Sequence, residues 1–534
     1  MERHTHKRWL VVSLLMALSA SASAADFGTS PPPSANFDVS PLQSDQSYSG
    51  FIITYKDGSA ERSNAAIAVQ NVGVAVSRAK LAAGTLAAPR ALTVRYSRRL
   101  ATGADLVHTD RALSASEAAT LIKQIAADPA VSYVEPEYML KRVDGIRPEG
   151  AATFTVPNDQ YYSAYQWDYL APSGASFFDN TLNANVANWG AANIQQAWTL
   201  ADGTGVTIAS LDTGVTNHPD LNLSLANAGY DFISTASVSG RATNGRVAGG
   251  WDTGDWTTAN QCGSGQPAES SSWHGTHVFG TAGGEITNNS TGMVGTAFSA
   301  QVVPVRVLGH CGGSNADIAD AITWASGGSV SGVPANAHPA QVLSLSLGGS
   351  GTCPASSALG KAITGAIGRG AAVVVAAGNS NANAANFSPA SCAGAVVVAA
   401  TGVTSTRAYY SNYGSIVTVA APGGGVYKND ASSGTQATTG FIWSTINAGT
   451  TTPTTATYGG MAGTSQATPH VAGVVALMQS YRLALGKALL TPAKVTQLLK
   501  SSATVPHVAP SGSKPIGAGI VNAYAAVQAA GSQP

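Results

Sequence analysis

The chain has 534 residues, 44% of them hydrophobic and only 10% charged, with 59 glycines. Lys+Arg and Asp+Glu both count 28, so the net charge is zero and no basic stripe suited to a phosphate backbone stands out, which argues against nucleic acid as a partner. The many Val, Ile, Leu and Ala runs can fill a large core, which excludes a disordered chain and leaves room for two or three domains.

Arg3, Lys7 and Arg8 precede an apolar run over 9–18, and small residues follow through Ala25. This is the pattern of a secretory signal peptide over 1–25, cut near Ala24 or Ala25. The run is too short to serve as a spanning anchor. No later run reaches that length, so the exported product is expected to be free of the membrane. Residues 26–48, rich in Ser, Pro and Asp, read as a mobile leader. Residues 49–142 read as a compact module. It has a strand over 50–56, helical spacing over 61–79, strands over 91–97 and 105–109, a helix over 115–127 and one closing strand over 131–140. In the second helix Ala118, Leu121, Ile122 and Ile125 share a face, with Ser114 or Ser116 as cap. The order βαββαβ predicts a small α+β, ferredoxin-like fold. A linker over 143–157 mixes Gly, Pro and charge.

From 158 to 534, apolar strand-like runs at 206–212, 302–308, 341–347, 371–377 and 396–400 alternate with helical stretches. The helices are expected at 273–283, 316–325, 358–369, 467–482, 492–502 and 521–529. Strands apolar on both faces and separated by helices predict an α/β fold: a doubly wound, mainly parallel sheet with helices on both faces. Ligands bind such sheets beyond the carboxyl ends of the strands.

Reactive groups sit at those ends. Asp212 ends the first run, His274 opens a helix in Trp273-His-Gly-Thr-His277, and Asn379 follows the run 371–377. Ser465 lies in Gly459-Gly-Met-Ala-Gly-Thr-Ser465, just before an apolar helix, where unpaired N–H groups and the helix dipole favour a developing anion. A serine hydroxyl needs a base to take its proton, and the base needs a carboxylate to fix its tautomer. Each residue alone has a plainer reading as a cap or turn former. His277 and His470 read as structural histidines. The pair His274 and His277 lacks the H-E-x-x-H pattern of a zinc peptidase. The serine is not in G-x-S-x-G, and the acid–histidine–serine order differs from that of a lipase-type hydrolase.

The blocks Asp212-Thr-Gly-Val with His218-Pro-Asp220, His274-Gly-Thr-His-Val, Ala376-Ala-Gly-Asn379 and Gly463-Thr-Ser465 with Thr468-Pro-His-Val-Ala-Gly473 resemble those of subtilisin-like serine endopeptidases, over about residues 158–530. The resemblance implies Ser465 as nucleophile, His274 as general base then acid, Asp212 orienting His274, and Asn379 in an oxyanion hole. It implies that Gly312, Gly313 and Ser314, with Ser346, Leu347, Gly348 and Gly349, flank a peptide substrate. A broad, apolar or aromatic preference is expected before the cut. Two other readings are a catalytically silent binding relative and a secreted serine esterase.

The resemblance also implies a structural, non-catalytic Ca2+ site. Asp159, Asp220 and Asn289 would give side-chain oxygens, and Ile286, Thr291 and Met293 carbonyls. The loop after His274 is one residue longer than the pattern, which leaves the register at Ile286 open. Asp231, Asp252 and Asp255 read as solvated turn acids rather than a second ion site. Four cysteines allow three pairings; within the implied frame Cys262–Cys311 and Cys353–Cys392 are favoured. The module 49–142, with Tyr133-Val-Glu-Pro-Glu137, resembles the family's inhibitory propeptide. It would act as intramolecular inhibitor and folding aid of an autoprocessed, secreted, monomeric enzyme, cut somewhere in 142–157. One departure is Gln466 where the pattern most often has Met.

Overall fold

The computed structural model describes residues 36–81, 92–142, 160–179, 182–427 and 430–534. The expected signal peptide, residues 26–35 of the leader, the linker 143–157 and Asp159 lie outside them.

The N-terminal module is a four-stranded antiparallel sheet in the spatial order Val94–Arg99, Asp105–Ser114, Ser47–Tyr55, Val131–Pro136. Helices Ala65–Ala79 and Ala115–Ala126 share one core with it, built from residues such as Val72, Leu121, Ile122, Phe51 and Val107. The second helix starts where predicted: Ser114 and Glu117 form a reciprocal capping box, which satisfies two N–H groups that the helix leaves unpaired. The opposite sheet face carries Ile52, Leu100 and Leu106 into a core shared with the larger domain.

That domain holds an eight-stranded sheet. Its spatial order is Val247–Ala248, Tyr230–Asp231, Gln301–Arg306, Thr207–Asp212, Val342–Leu345, Ala372–Ala376, Val396–Thr401, Val419–Pro422. All neighbours are parallel except the first pair. Side chains alternate along each strand, so every run feeds two cores. Ile208, Val374 and Val398 face the core that holds helix Thr464–Ala484. Ala209, Val373 and Val397 face the core that holds Asn315–Ala325 and Ala358–Gly368. This is why these runs read as continuously apolar. In helix Thr464–Ala484, Val474, Val475, Leu477 and Met478 are fully buried, each stabilising the fold by roughly 1.5–3 kcal/mol.

Two expected strands are broken. Residues 131–140 form Val131–Pro136 and, separately, Met139–Arg142, which belongs to a different sheet. Pro136 has no N–H to extend the ladder, and Glu137 is pinned by its N–H to Gly50 O at 2.9 Å. Residues 341–347 form Val342–Leu345 and Leu347–Ser350, with Ser346 as the joint. The strand begun at Asp105 runs on to Ser114. A hairpin of Ile442–Asn447 and Ala456–Met461 was not anticipated. The disulfides are Cys262–Cys311 and Cys353–Cys392. The three acids expected as solvated turns are instead buried. Asp231 pairs with Arg306 at 2.8 Å and with Arg241, Asp252 accepts from Thr213 Oγ1 at 2.6 Å, and Asp255 pairs with Arg142. Their partners come from distant parts of the chain, which a local reading cannot see.

Candidate active site

Asp212 ends a strand in the middle of the sheet, so the fold delivers its carboxylate to the carboxyl edge. Its Oδ1 lies 2.8 Å from His274 Nδ1, and both side chains are almost fully buried. Oδ1 also accepts the Thr213 N–H at 2.8 Å. With Nδ1–H donated to the carboxylate, the proton-accepting lone pair lies on Nε2.

His274 opens helix His274–Phe279 directly after Trp273, whose φ of 54° is left-handed. For a bulky residue this costs about 1–2 kcal/mol. The strain is held by burial of the indole and its N–H donated to Gly449 O at 2.6 Å. Ser272 Oγ accepts the His274 N–H at 3.1 Å, fixing the helix start.

Ser465 is the second residue of helix Thr464–Ala484, which packs against both the Asp212 strand and the His274 helix. Pro469 lies four residues on and cannot donate to the Ser465 carbonyl. Ser346 fills that gap: its hydroxyl donates to Ser465 O at 2.8 Å, while Ser465 Oγ donates to Ser346 O at 3.0 Å. In this state His274 Nε2 has no hydrogen-bond partner among the described residues. The Ser465 hydroxyl thus donates to Ser346 O, and no serine–histidine hydrogen bond is formed among the described residues.

Asn379 Oδ1 accepts both the N–H and the hydroxyl of Thr464 at 2.9 Å. This fixes the orientation of the amide, with its oxygen turned to Thr464. His277 and His470 are structural: His277 Nε2 donates to Ile442 O at 3.1 Å, and His470 bridges Gln466 O and Asp168 at 2.7 and 2.6 Å. Gln466 is fully buried, its amide 3.7 Å from Met461 Sδ.

The cleft has two edges, Gly313–Ser314 and Leu347–Ser350, and Met139–Arg142 lies antiparallel between them. Leu140 pairs with Gly313 and Met139 with Ser314; Arg142 pairs with Leu347 and Lys141 with Gly348. Gly312, at φ 107°, has the Leu140 carbonyl where a Cβ would stand, so only glycine admits the strand. Gly349 touches the Leu140 side chain in the same way, with more room. The residues assigned to substrate contact thus all lie at this slot or, for Ser346, beneath Ser465.

The N-terminal module docks through the two carboxylates of the Tyr133-Val-Glu-Pro-Glu137 block. Glu137 accepts from Ser314 Oγ at 2.6 Å and from His108 at 3.0 Å. Glu135 accepts the Ala358 N–H at 2.7 Å, at the start of helix Ala358–Gly368. Burial pushes Glu135 up to about 8. Arg98 reaches Asp317 and Asp320, which Arg246 also pairs.

Of the expected calcium ligands, the loop from Ile286 to Met293 wraps Asp220. Ile286 N–H donates to Asp220 O at 2.9 Å, Asn289 Nδ2 to Oδ1 at 2.7 Å and Met293 N–H to Oδ2 at 2.8 Å; Thr291 N–H caps Asn289 Oδ1 at 2.8 Å. Among the described residues no cluster of three or more His, Cys, Asp or Glu stands ready for a metal. The neighbouring Glu285 is buried, with Oε2 unpartnered among the described residues; burial first and the Asp220 charge second push it up to about 8. Two buried carboxyl groups, Asp220 and Glu285, beside amide and carbonyl oxygens, fit a hard divalent ion in donor type.

Residues 203–522 match the family model described as the subtilase family, Peptidase S8. The chain belongs to the subtilase family and is a subtilisin-like serine protease. Among its relatives is an extracellular protease of Xanthomonas campestris pv. campestris, 46% identical over 489 residues, or 92% of this chain and 74% of that one. An extracellular basic protease of Dichelobacter nodosus is 35% identical over 485 residues, 90% of this chain and 70% of that one. A solved structure of a protease from Pseudoalteromonas arctica PAMC 21717 is 46% identical, with a TM-score of 0.61 over 70% of this chain and 99% of that one. Among the described residues no helix is long and apolar enough to cross a membrane.

Proposed function

We propose that the chain is the precursor of a secreted serine endopeptidase that cuts proteins through Asp212, His274 and Ser465. One observation carries this: a buried carboxylate–imidazole pair meets the first turn of the Ser465 helix, beside a slot that already holds an extended strand of the chain itself. His274 Nε2 takes the Ser465 proton as Oγ leaves Ser346 and attacks the carbonyl. The Ser465 N–H and the Asn379 amide receive the oxyanion. His274 then protonates the departing amine, and water repeats the cycle on the acyl-enzyme.

Residues 1–25 direct export and 49–142 form a propeptide, whose tail Met139–Arg142 inhibits by lying in the slot like a product. The relatives named extracellular proteases support the secreted reading. After cleavage within 142–157 the mature enzyme, read as a monomer, keeps the apolar or aromatic preference expected before the cut. Asp220 and Asn289, with carbonyls of Ile286, Thr291 and Met293 and with Asp159, would hold Ca2+. The ion would neutralise buried charge and tie the loop down, and takes no part in bond cleavage.

The test compares wild type with Ser465→Ala on secretion. Wild type is expected to appear processed, to hydrolyse casein and to react with a fluorophosphonate probe, while Ser465→Ala stays full length and unlabelled. Correct cleavage of the variant in a protease-free host would refute autoprocessing. Esterase activity without casein hydrolysis would refute the peptidase reading.

A further inference from the structure

The slot also reads a side chain through residues outside its two edges. The guanidinium of Arg142 leaves the inserted strand and enters a pocket where it pairs with Asp255 and, at 3.3 Å, with Glu269. The Asp255 side chain is 1% exposed and that of Arg142 17% exposed, so the pair is shielded rather than rim-like. The pocket is lined also by Thr213, Leu308, Gly309 and Pro267.

Asp255 is held by its side chain, while Glu269 is fixed at its backbone with a half-exposed side chain. Asp255 accepts the Ser272 N–H at 2.5 Å and its hydroxyl at 2.6 Å. Glu269 sits on a two-way backbone bridge with Thr257, at 2.9 and 3.1 Å. Between them the loop is tied at its middle by Cys262 to Cys311. A bidentate, planar cation is the group such a pair of carboxylates recognises.

The register says which substrate residue meets the pocket. Lys141 stands opposite Gly348 and Arg142 opposite Leu347. A substrate strand in that register puts its next residue level with Ser346, whose carbonyl holds the Ser465 hydroxyl at 3.0 Å. The Arg142 position is therefore the second residue before the bond to be cut.

We propose that Asp255 and Glu269 form an acid-walled subsite that selects arginine, and lysine less well, at the second position before the scissile bond. The proposal rests on the peptidase reading above. It concerns the second position only and leaves the expected apolar or aromatic preference at the first position as it stands.

The test uses the processed enzyme and paired peptides that differ at the second position only, arginine against citrulline, with cut sites mapped by mass spectrometry. Citrulline keeps the shape and removes the charge. Arginine is expected to be favoured by roughly tenfold to a hundredfold in kcat/KM. Glu269→Gln should reduce that ratio and Asp255→Asn should bring it close to one. The ratio is internal, so a general loss of activity from disturbing Ser272 and His274 does not move it. Glu269→Lys, at an outer position, is expected to disfavour arginine even if the Asp255 variant fails to fold. Equal cleavage of the two peptides by wild type would overturn this subsite alone. Absence of cleavage of either peptide would overturn the peptidase reading and the subsite with it.

Discussion

The imidazole of His274 is gripped from below by Asp212 and at its backbone by Ser272, while its Nε2 stays unbonded among the described residues. Replacing the carboxylate by an amide keeps the shape but lets the ring take the wrong tautomer. For Asp212→Asn a loss in kcat on the order of 10^4-fold is expected, as the same change produces in other serine proteases, with KM nearly unchanged. A comparable rise in KM would instead mean that the cleft had collapsed. These residues were legible in the sequence because each lies in a short block whose glycines and neighbours serve one turn. Asp255 and Glu269 were not. Their meaning depends on an arginine 113 residues away from Asp255, in another module. An acid among Gly, Thr and Trp reads locally as a turn.

At the scale of elements, two helices of the catalytic domain present their starts to the N-terminal module. Ser314, the cap of Asn315–Ala325, is held by Glu137, and the N–H of Ala358 is held by Glu135. Burial raises Glu135 from the ordinary 4.5 to about 8, against the smaller opposing effects of the Ala358 N–H and the Lys361 charge, with Asp38 adding to the rise. Once released, the glutamate recovers its ordinary value, so docking takes up a proton between about 4.5 and 8. Docking therefore tightens at the acidic end of that window and loosens as pH rises through it. Retention of the cleaved segment on the enzyme, followed by residual inhibition from pH 5 to pH 8, is expected to fall with pH; Glu135→Gln should flatten the dependence. A dependence of the opposite sign would mean that the carboxylate is charged when docked.

The parallel strands and the helices on both faces were readable because burial on two sides leaves an unbroken apolar run. The joint at Ser346 was not readable, since it is set by Ser465 far along the chain; at Glu137 the preceding Pro136 was a readable signal, but the bond to Gly50 O that completes the joint was not.

For the molecule as a whole, the central sheet is built almost entirely of parallel neighbours brought together from distant segments. Such topologies form slowly, because loop closure precedes reward. The docked module packs against Asn315–Ala325 and Ala358–Gly368, the surface on which the proposed folding-aid role would rest. Once processed, the enzyme would depend on what remains, including the Asp220 loop and its buried neighbour Glu285. EDTA is expected to lower the melting temperature of the processed enzyme and calcium to restore it, as ligand linkage requires. Asp220→Asn should lose that response. An unchanged melting curve in wild type would remove the ion from the account.

The slot between Gly313–Ser314 and Leu347–Ser350 grips its occupant by backbone, edge to edge. A polypeptide can be accepted there only if a short stretch of it has already been pulled straight and stripped of its own pairing. Helices, hairpins and tightly packed domains would be refused whatever letters they spell. Among native proteins the victims would be those with loose ends, long loops or momentary local opening, and a target's own softness would set how fast it is consumed.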